Sequence, residues 1–272
     1  MTALALDTGL LPGRVLVVHA HPDDEVFATA AATIALADRD CQVSLRVGTG
    51  GEAGLLAAHQ GDSASARATR ATQLTRSCKL LGIEDWDYLT EAGQWIDTGH
   101  GGPETLAEED PAVLARAVRS NIDHIRPTII LTVDRTGLTG HPDHIAIHRA
   151  VRDALAMPGW KPSLTLGALL LRRQVQTAAA LAKTIVIDQQ VGSGRVRGRG
   201  DNAVEHLIQC LPEQSGRRRA ALDEYTPGLG TYTHRELARS LDRFGDSVLL
   251  RLALDTSDWH TDRFERIHPN EE

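Results

Sequence analysis

The chain has 272 residues, a formal net charge of −7 and 42% hydrophobic residues. This length suits one large domain with a substantial core, and the acidic balance argues against a general nucleic-acid-binding surface. No apolar run reaches the roughly 20 residues that span a bilayer, and the N-terminal segment lacks the pattern of an export signal. We therefore expect a cytoplasmic protein that binds neither membranes nor nucleic acids. Cys41, Cys78 and Cys210 are scattered without a CxxC pair, which predicts inert, reduced thiols.

The first informative segment is a strand that ends in a cluster of polar residues. Arg14 to Val18 is short, β-branched and apolar, which predicts a buried parallel strand. HAHPDDE follows at 19–25, where Pro22 favours the first turn of a helix and the three acids suit its positive end. Such acids are often ordinary helix caps. Three carboxylates and a histidine at one junction would also attract a cation strongly.

A second junction of the same kind lies more than a hundred residues later. The apolar run Pro127 to Val133 predicts another strand, and GHPDH at 140–144 again places His-Pro-Asp at the entrance of a helix that runs to about Ala156. Two such junctions in one chain favour a functional role over helix capping alone.

The remaining elements are predicted from hydrophobic periodicity and breaker residues. Helices are expected at 26–38, 64–81, 111–125 and 213–225, and strands at 41–47, 86–89, 163–171, 183–188 and 248–254. This alternation predicts an α/β fold, a Rossmann-like and mostly parallel sheet with flanking helices. Residues 1–160 would form the catalytic core, and 161–272 a smaller, less regular C-terminal portion that completes the sheet and the substrate cleft.

Three loops stand out for their composition. Gly48, Gly50 and Ala53 match a GxGxxA nucleotide fingerprint, but a polar loop follows them instead of a helix, so a glycine-lined active-site loop is the favoured interpretation. The irregular segment 91–110 is long enough to be a lid or a binding loop. The basic, glycine-rich segment 192–201 is expected to be a surface loop.

If the two junctions converge, His21, Asp24 and His144 make a three-ligand set for a divalent ion. Catalytic zinc sites have three protein ligands and leave the fourth position to water. The favoured metal is Zn²⁺, although Fe²⁺ can occupy a site with two histidines and one carboxylate.

Neighbouring residues can then carry the proton transfers of an amide hydrolysis. Asp23 is free to accept a proton from water, and His141 can stabilise a tetrahedral oxyanion or donate a proton to the departing amine. Asp143 can orient His141. A nucleophilic serine is not supported, since the chain has no GxSxG motif.

Together, HAHPDDE and GHPDH resemble the paired motifs of the LmbE-like, PIG-L-type family of zinc-dependent de-N-acetylases, which act on N-acetylglucosamine-containing substrates. The resemblance implies metal binding by His21, Asp24 and His144, a general base at Asp23 and transition-state stabilisation by His141.

The same resemblance implies two substrate-binding residues. Arg70 matches the arginine that opens the R-x-x-E-L helix of the family, with Gln73 where glutamate is usual. Asp97 lies in WIDTGHGG, which is similar to a segment of mycothiol-pathway deacetylases and makes it a candidate sugar contact. Thr139 stands where those deacetylases have a tyrosine, which leaves the identity of the substrate open.

The leading hypothesis is metal-dependent hydrolysis of the acetamide in a small-molecule amino-sugar conjugate. One alternative is an amidase that cleaves a larger acyl amide of a glucosaminyl conjugate, as mycothiol-conjugate amidases do. Another is a non-catalytic sugar- or nucleotide-binding protein, although such a protein would not need Asp23. The sequence leaves a homo-oligomer open.

Overall fold

The computed structural model of the protein describes residues 13–54, 62–99, 102–185, 191–240 and 245–269. Within these residues the strands are β1 (Arg14–His19), β2 (Gln42–Val47), β3 (Asp85–Tyr88), β4 (Ile129–Val133), β5 (Leu164–Ala168), β6 (His206–Gln209) and β7 (Thr261–Arg266). The helices are α1 (Asp24–Ala28), α2 (Ala30–Ala37), α3 (Ser63–Leu81), α4 (Pro111–Ile125), α5 (Gly137–Gly140), α6 (Pro142–Ala156), α7 (Arg172–Ile185), α8 (Ser215–Tyr225), α9 (His234–Ser240) and α10 (Asp246–Asp255).

All the described strands belong to one sheet with the order β3-β2-β1-β4-β5-β7-β6. Strands β1 to β5 are parallel, whereas β7 runs antiparallel to both of its neighbours. The predicted α/β fold with a mostly parallel sheet is therefore confirmed. The strand order reverses between β1 and β4: β2 and β3 lie on one side of β1, and β4 and β5 lie on the other. Open α/β sheets bind their ligands at such a switch point.

Helices cover both faces of the sheet. Along β1, Val15 and Val17 face a core formed with α2, α3, α7, α8 and α10, whereas Leu16 and Val18 face α4 and α6. These four side chains are fully buried, because a central parallel strand has helices on each side.

Several predicted elements match closely. Helix α4 has the predicted bounds, and α3 ends at Gly82, whose φ of 83° is the left-handed conformation that glycine adopts readily. The helix predicted at 26–38 is interrupted at Thr29, whose φ of −132° and ψ of 9° are not helical. Cys41, Cys78 and Cys210 are buried free thiols, as predicted.

The predicted strands at 183–188 and 248–254 are wrong where the structure describes them. Residues 183–185 form the last turn of α7, an alanine-rich helix, and 186–188 lie outside the described residues. Residues 248–254 lie in α10, where Arg251 and Asp255 pair across one helical turn at 2.8 Å. Short apolar runs do not distinguish a buried helix from a strand.

The sequence prediction also missed β6 and β7 at the antiparallel edge. In β7 only Phe264 is strongly apolar, so periodicity gives little signal there. Among the described residues, no helix is long and apolar enough to cross a membrane.

Candidate active site

The two histidine-acid junctions meet at the switch point of the sheet. HAHPDDE leaves the C-terminal end of β1, and GHPDH follows the loop that leaves the neighbouring β4. Parallel pairing puts both ends at the same edge, which explains how residues 123 positions apart can touch.

His21, Asp24 and His144 lie in contact with one another. His21 Nδ1 lies 3.1 Å from His144 Nε2, His144 Nε2 lies 3.1 Å from Asp24 Oδ1, and His21 Nδ1 lies 3.7 Å from Asp24 Oδ2. Ligand bonds of about 2.0 to 2.2 Å in a tetrahedral zinc site would separate neighbouring ligand atoms by roughly 3.3 to 3.6 Å. The three distances are close to that separation, and the two contacts of Asp24 use different oxygens of its carboxylate. Among the described residues, ligand atoms of His21, His141 and His144 also lie within 4.8 Å of one another, as do those of His21, Asp97, His141 and Asp143.

Both imidazoles are held by their other ring nitrogen. His144 Nδ1 donates to the Gly137 carbonyl at 3.0 Å, so the lone pair of Nε2 faces His21 and Asp24. His21 Nε2 lies 3.1 Å from Asp143 Oδ2, so Nδ1 is the ring nitrogen that faces His144 and Asp24. Histidine ligands of metals commonly have such carbonyl or carboxylate partners.

Asp143 differs from its expected arrangement in one respect. Its carboxylate contacts His21 and the Ala107 amide, and its backbone N–H, not its carboxylate, contacts His141 Nδ1 at 3.2 Å. Asp143 thus orients a predicted metal ligand, while its link to His141 runs through the main chain.

The cluster carries excess negative charge. Burial would lower the pKa of His21, but Asp97, Asp143 and Asp24 together raise it to about 10. Burial would raise the pKa of Asp24, but the nearby histidines, His144 first, hold it well below its usual range. The same electrostatic environment would attract a divalent cation.

Asp23 sits beside the cluster without being part of it. It caps α1 with a φ of 98°, a left-handed conformation that is strained for most residues but tolerated by Asp and Asn. Its Oδ2 accepts a hydrogen bond from Arg70 at 2.9 Å. Burial and the charge of Asp24 raise the pKa of Asp23, while Arg70 opposes the increase.

His141 faces the same space from the second junction. It is the N-cap of α6, and its ring centroid lies 4.9 Å from that of His21 and 5.2 Å from that of His144. Burial and the two neighbouring histidines lower the pKa of His141 to about 4. Since Nδ1 accepts the Asp143 N–H, the neutral ring has its proton on Nε2, where it can donate a hydrogen bond.

Arg70 and Asp97, the two predicted substrate contacts, are placed differently. Arg70 is buried, donates to Asp23 and the Pro22 carbonyl, and stacks over Tyr225 at 4.8 Å. Asp97 is buried, and its Oδ1 lies 3.8 Å from His21 Nε2. The irregular segment 91–110 therefore does reach the candidate site, through Asp97 and Ala107.

The sequence analysis did not predict the hydrogen bonds of Glu25, whose side chain holds the Asp23 backbone. Glu25 is fully buried; its Oε1 accepts from Ser77 at 2.6 Å and from Tyr225 at 2.7 Å, and its Oε2 accepts the Asp23 N–H at 2.9 Å. Burial raises the pKa of Glu25 to about 7 even though Ser77 and Tyr225 lower it. Tyr225 stands where the family's C-terminal Lys-x-x-Ala-Leu-x-x-His segment ends, but no pattern in the sequence predicted that its hydroxyl would bind Glu25.

A family model described as PIG-L: GlcNAc-PI de-N-acetylase matches residues 16–155, which contain both junctions. The chain belongs to this family. A relative from Frankia casuarinae, named 1D-myo-inositol 2-acetamido-2-deoxy-alpha-D-glucopyranoside deacetylase 1, is 35% identical over 65% of this chain and 68% of its own length. The resemblance inferred from the two motifs is confirmed.

Solved structures support the fold. An N,N'-diacetylchitobiose deacetylase from Pyrococcus horikoshii aligns with a TM-score of 0.63 and 13% identity over 97% of this chain and 87% of its own. GalB, the 4-carboxy-2-hydroxymuconate hydratase of Pseudomonas putida, aligns with a TM-score of 0.57 and 14% identity over 95% of this chain and 98% of its own. Likeness at such low identity shows the fold alone, and these two proteins are named for different reactions.

Proposed function

We propose that the protein is a metal-dependent deacetylase that hydrolyses the acetamide of an N-acetylglucosamine-containing small molecule. The observation that carries the proposal is the convergence of His21, Asp24 and His144 within distances of about 3 to 4 Å, with Asp23 beside them. The name of the Frankia relative, a deacetylase of a glucosamine-inositol conjugate, supports the same chemistry.

His21, Asp24 and His144 would hold the ion. Zn²⁺ is the favoured ion, and Fe²⁺ suits the same donor set. A divalent ion there supplies Lewis acidity toward the amide carbonyl and makes water more acidic. Asp143 and the Gly137 carbonyl fix the rings of His21 and His144, so the ligand atoms need little reorganisation.

Asp23 would act as the general base. Its raised pKa brings the carboxylate closer to the range in which it can both accept and return a proton. Arg70 holds the Asp23 carboxylate through a hydrogen bond and opposes the increase in its pKa. We therefore assign Arg70 to positioning Asp23, in addition to the substrate contact that the family resemblance implies.

His141 would act on the opposite side of the acyl group. Its Nε2–H can stabilise the oxyanion of the tetrahedral intermediate, and the proton that Asp23 accepts from water can go to the departing amine. The C–N bond then breaks, giving acetate and the free amino sugar. Asp97, which lies next to His21 and His141, would contact a sugar hydroxyl, as the family resemblance implies.

The test is an acetate-release screen with the purified full chain. Substrates are N-acetylglucosaminides with inositol and other aglycones, and parallel reactions carry larger acyl groups, which separates a deacetylase from a conjugate amidase. We expect acetate release that is abolished by a chelator and restored by Zn²⁺ or Fe²⁺. Full activity in protein shown by elemental analysis to hold no metal would refute the metal-dependent mechanism.

A further inference from the structure

The glycine-rich segment 192–201 does more than cover the surface. Its composition predicts a surface loop, and most of its side chains are at least partly exposed. The main chain of Arg199, however, is tied to the connection between β5 and α7. Its N–H donates to the Leu170 carbonyl, and its carbonyl accepts from the N–H of Arg172, the first residue of α7, both at 2.7 Å. These two hydrogen bonds fix the main-chain position from which the Arg199 side chain extends.

The Arg199 guanidinium bridges two acids. Nη1 lies 2.9 Å from Asp134 Oδ2, and Nη2 lies 3.0 Å from Glu265 Oε2. The Asp134 side chain is fully buried and that of Arg199 is only 13% exposed. A buried carboxylate needs such partners, since an unpaired one would carry a large desolvation penalty.

Asp134 in turn organises the loop that leads to the second junction. Its Oδ1 accepts from the Leu138 N–H at 2.9 Å and from the Thr136 hydroxyl at 2.8 Å. Leu138 has a φ of 55°, a conformation that is strained for a leucine and persists only where surrounding contacts impose it. The Asp134 carboxylate is one such contact.

This arrangement fixes the position of the Gly137 carbonyl. Gly137, adjacent to Leu138, accepts the hydrogen bond from His144 Nδ1 at 3.0 Å. A chain of contacts thus runs from Arg199 through Asp134 and the 136–138 loop to the His144 ring. At the other end of this loop, a Cβ added to Gly140 would lie 3.2 Å from the Arg195 carbonyl, so the same C-terminal segment also packs closely against the residue that precedes His141.

We propose that Arg199 and Asp134 are positioning residues that hold the Gly137 carbonyl where it orients His144 for metal binding. The inference rests on the proposed function, in which His144 is a ligand. Loss of an outer partner of a metal-binding histidine typically weakens metal affinity 10- to 100-fold. Because Arg199 acts through the loop, we expect a change of about tenfold for Arg199→Met.

The test measures Zn²⁺ affinity of metal-stripped protein by competition with a chromophoric chelator, together with thermal unfolding of the same samples. The variants are Arg199→Met, Arg199→Lys and Asp134→Asn. The matched control is Arg119→Met, because Arg119 is also a buried arginine bonded to a carboxylate and to backbone carbonyls, Ala154 and Trp160, but at the opposite end of α6 from the candidate site.

We expect Arg199→Met and Asp134→Asn to weaken Zn²⁺ binding about tenfold and Arg199→Lys to weaken it less, because lysine keeps the charge without the two-pronged contact. Arg119→Met should lower the unfolding temperature with unchanged affinity. Unchanged Zn²⁺ affinity in Arg199→Met overturns the inference, while the proposed function stands. If Arg199→Met does not fold, unchanged affinity in both Arg199→Lys and Asp134→Asn has the same meaning. An equal loss of affinity in Arg119→Met also overturns it. Absence of Zn²⁺ binding by the wild-type chain overturns both.

Discussion

Replacing Asp23 tests the general base most directly, and its backbone conformation determines which replacement is informative. With a φ of 98°, Asp23 occupies a region that Asn tolerates better than most other residues. Asp23→Asn removes the base but keeps a side-chain oxygen that can accept from Arg70. Asp23→Ala loses that acceptor and adds backbone strain of about 1 to 3 kcal/mol to the folded state.

General acid-base catalysis typically contributes 10² to 10⁴ in rate, which corresponds to roughly 2.7 to 5.5 kcal/mol of activation free energy. We therefore expect Asp23→Asn to lower kcat for acetate release by about that factor. Metal content, measured by elemental analysis, should be unchanged, and the alanine variant should unfold at a lower temperature than the asparagine variant. If Asp23→Asn keeps kcat within about threefold of wild type, Asp23 is not the base.

Three further predictions address the ligands and the fold. His144→Ala should lose most of its metal by elemental analysis, whereas the exposed His124→Ala should retain it; equal metal content in the two variants would contradict the ligand assignment. Arg218→Met leaves the buried Asp262 carboxylate, 2.9 Å away in the wild type, without its charge partner, so chemical denaturation should show about 3 to 5 kcal/mol less stability. The pKa of Asp255 is lowered because its arginine, tryptophan and histidine partners outweigh burial, so its ionised form stabilises the fold at neutral pH. This contribution is lost as pH falls below about 4. The urea midpoint of Asp255→Asn should therefore depend less on pH than the midpoint of the wild type. Parallel plots of urea midpoint against pH for the two proteins would contradict the assignment.

Local patterns were sufficient for the elements that build the switch point. The run from Arg14 to Val18 is apolar on both faces, and a central strand in a parallel sheet is the environment such a run requires. His-Pro-Asp after a strand predicted both junctions, because proline and acids suit the first turn of a helix. The three proposed ligands lie within these two short motifs, and the resemblance to the family singles them out from the other histidines and acids there.

Contacts between distant segments could not be predicted in this way. Tyr225 lies 200 positions from Glu25, yet its hydroxyl is one of two that bind that carboxylate. The sequence around neither residue predicts this hydrogen bond. The same holds for Arg199, which lies 65 positions from Asp134 in a segment whose composition suggests only a loop. Asp143 shows the related problem for nearby residues, since only the folded chain reveals that its carboxylate faces His21 instead of His141.

The family model ends at residue 155, but the remaining chain contributes directly to the geometry of both junctions. Arg218 donates to the carbonyls of Val26 and Phe27 in α1, at 2.8 and 2.7 Å, so α8 anchors the helix that follows Asp23 and Asp24. Tyr225 supports Glu25 beneath the same residues, and Arg199 supports the loop before the second junction. Through these contacts, residues of 161–272 pack against both junctions of 1–160. The N-terminal motifs supply the groups that would perform the chemistry, and the C-terminal portion supplies buried partners that fix their positions.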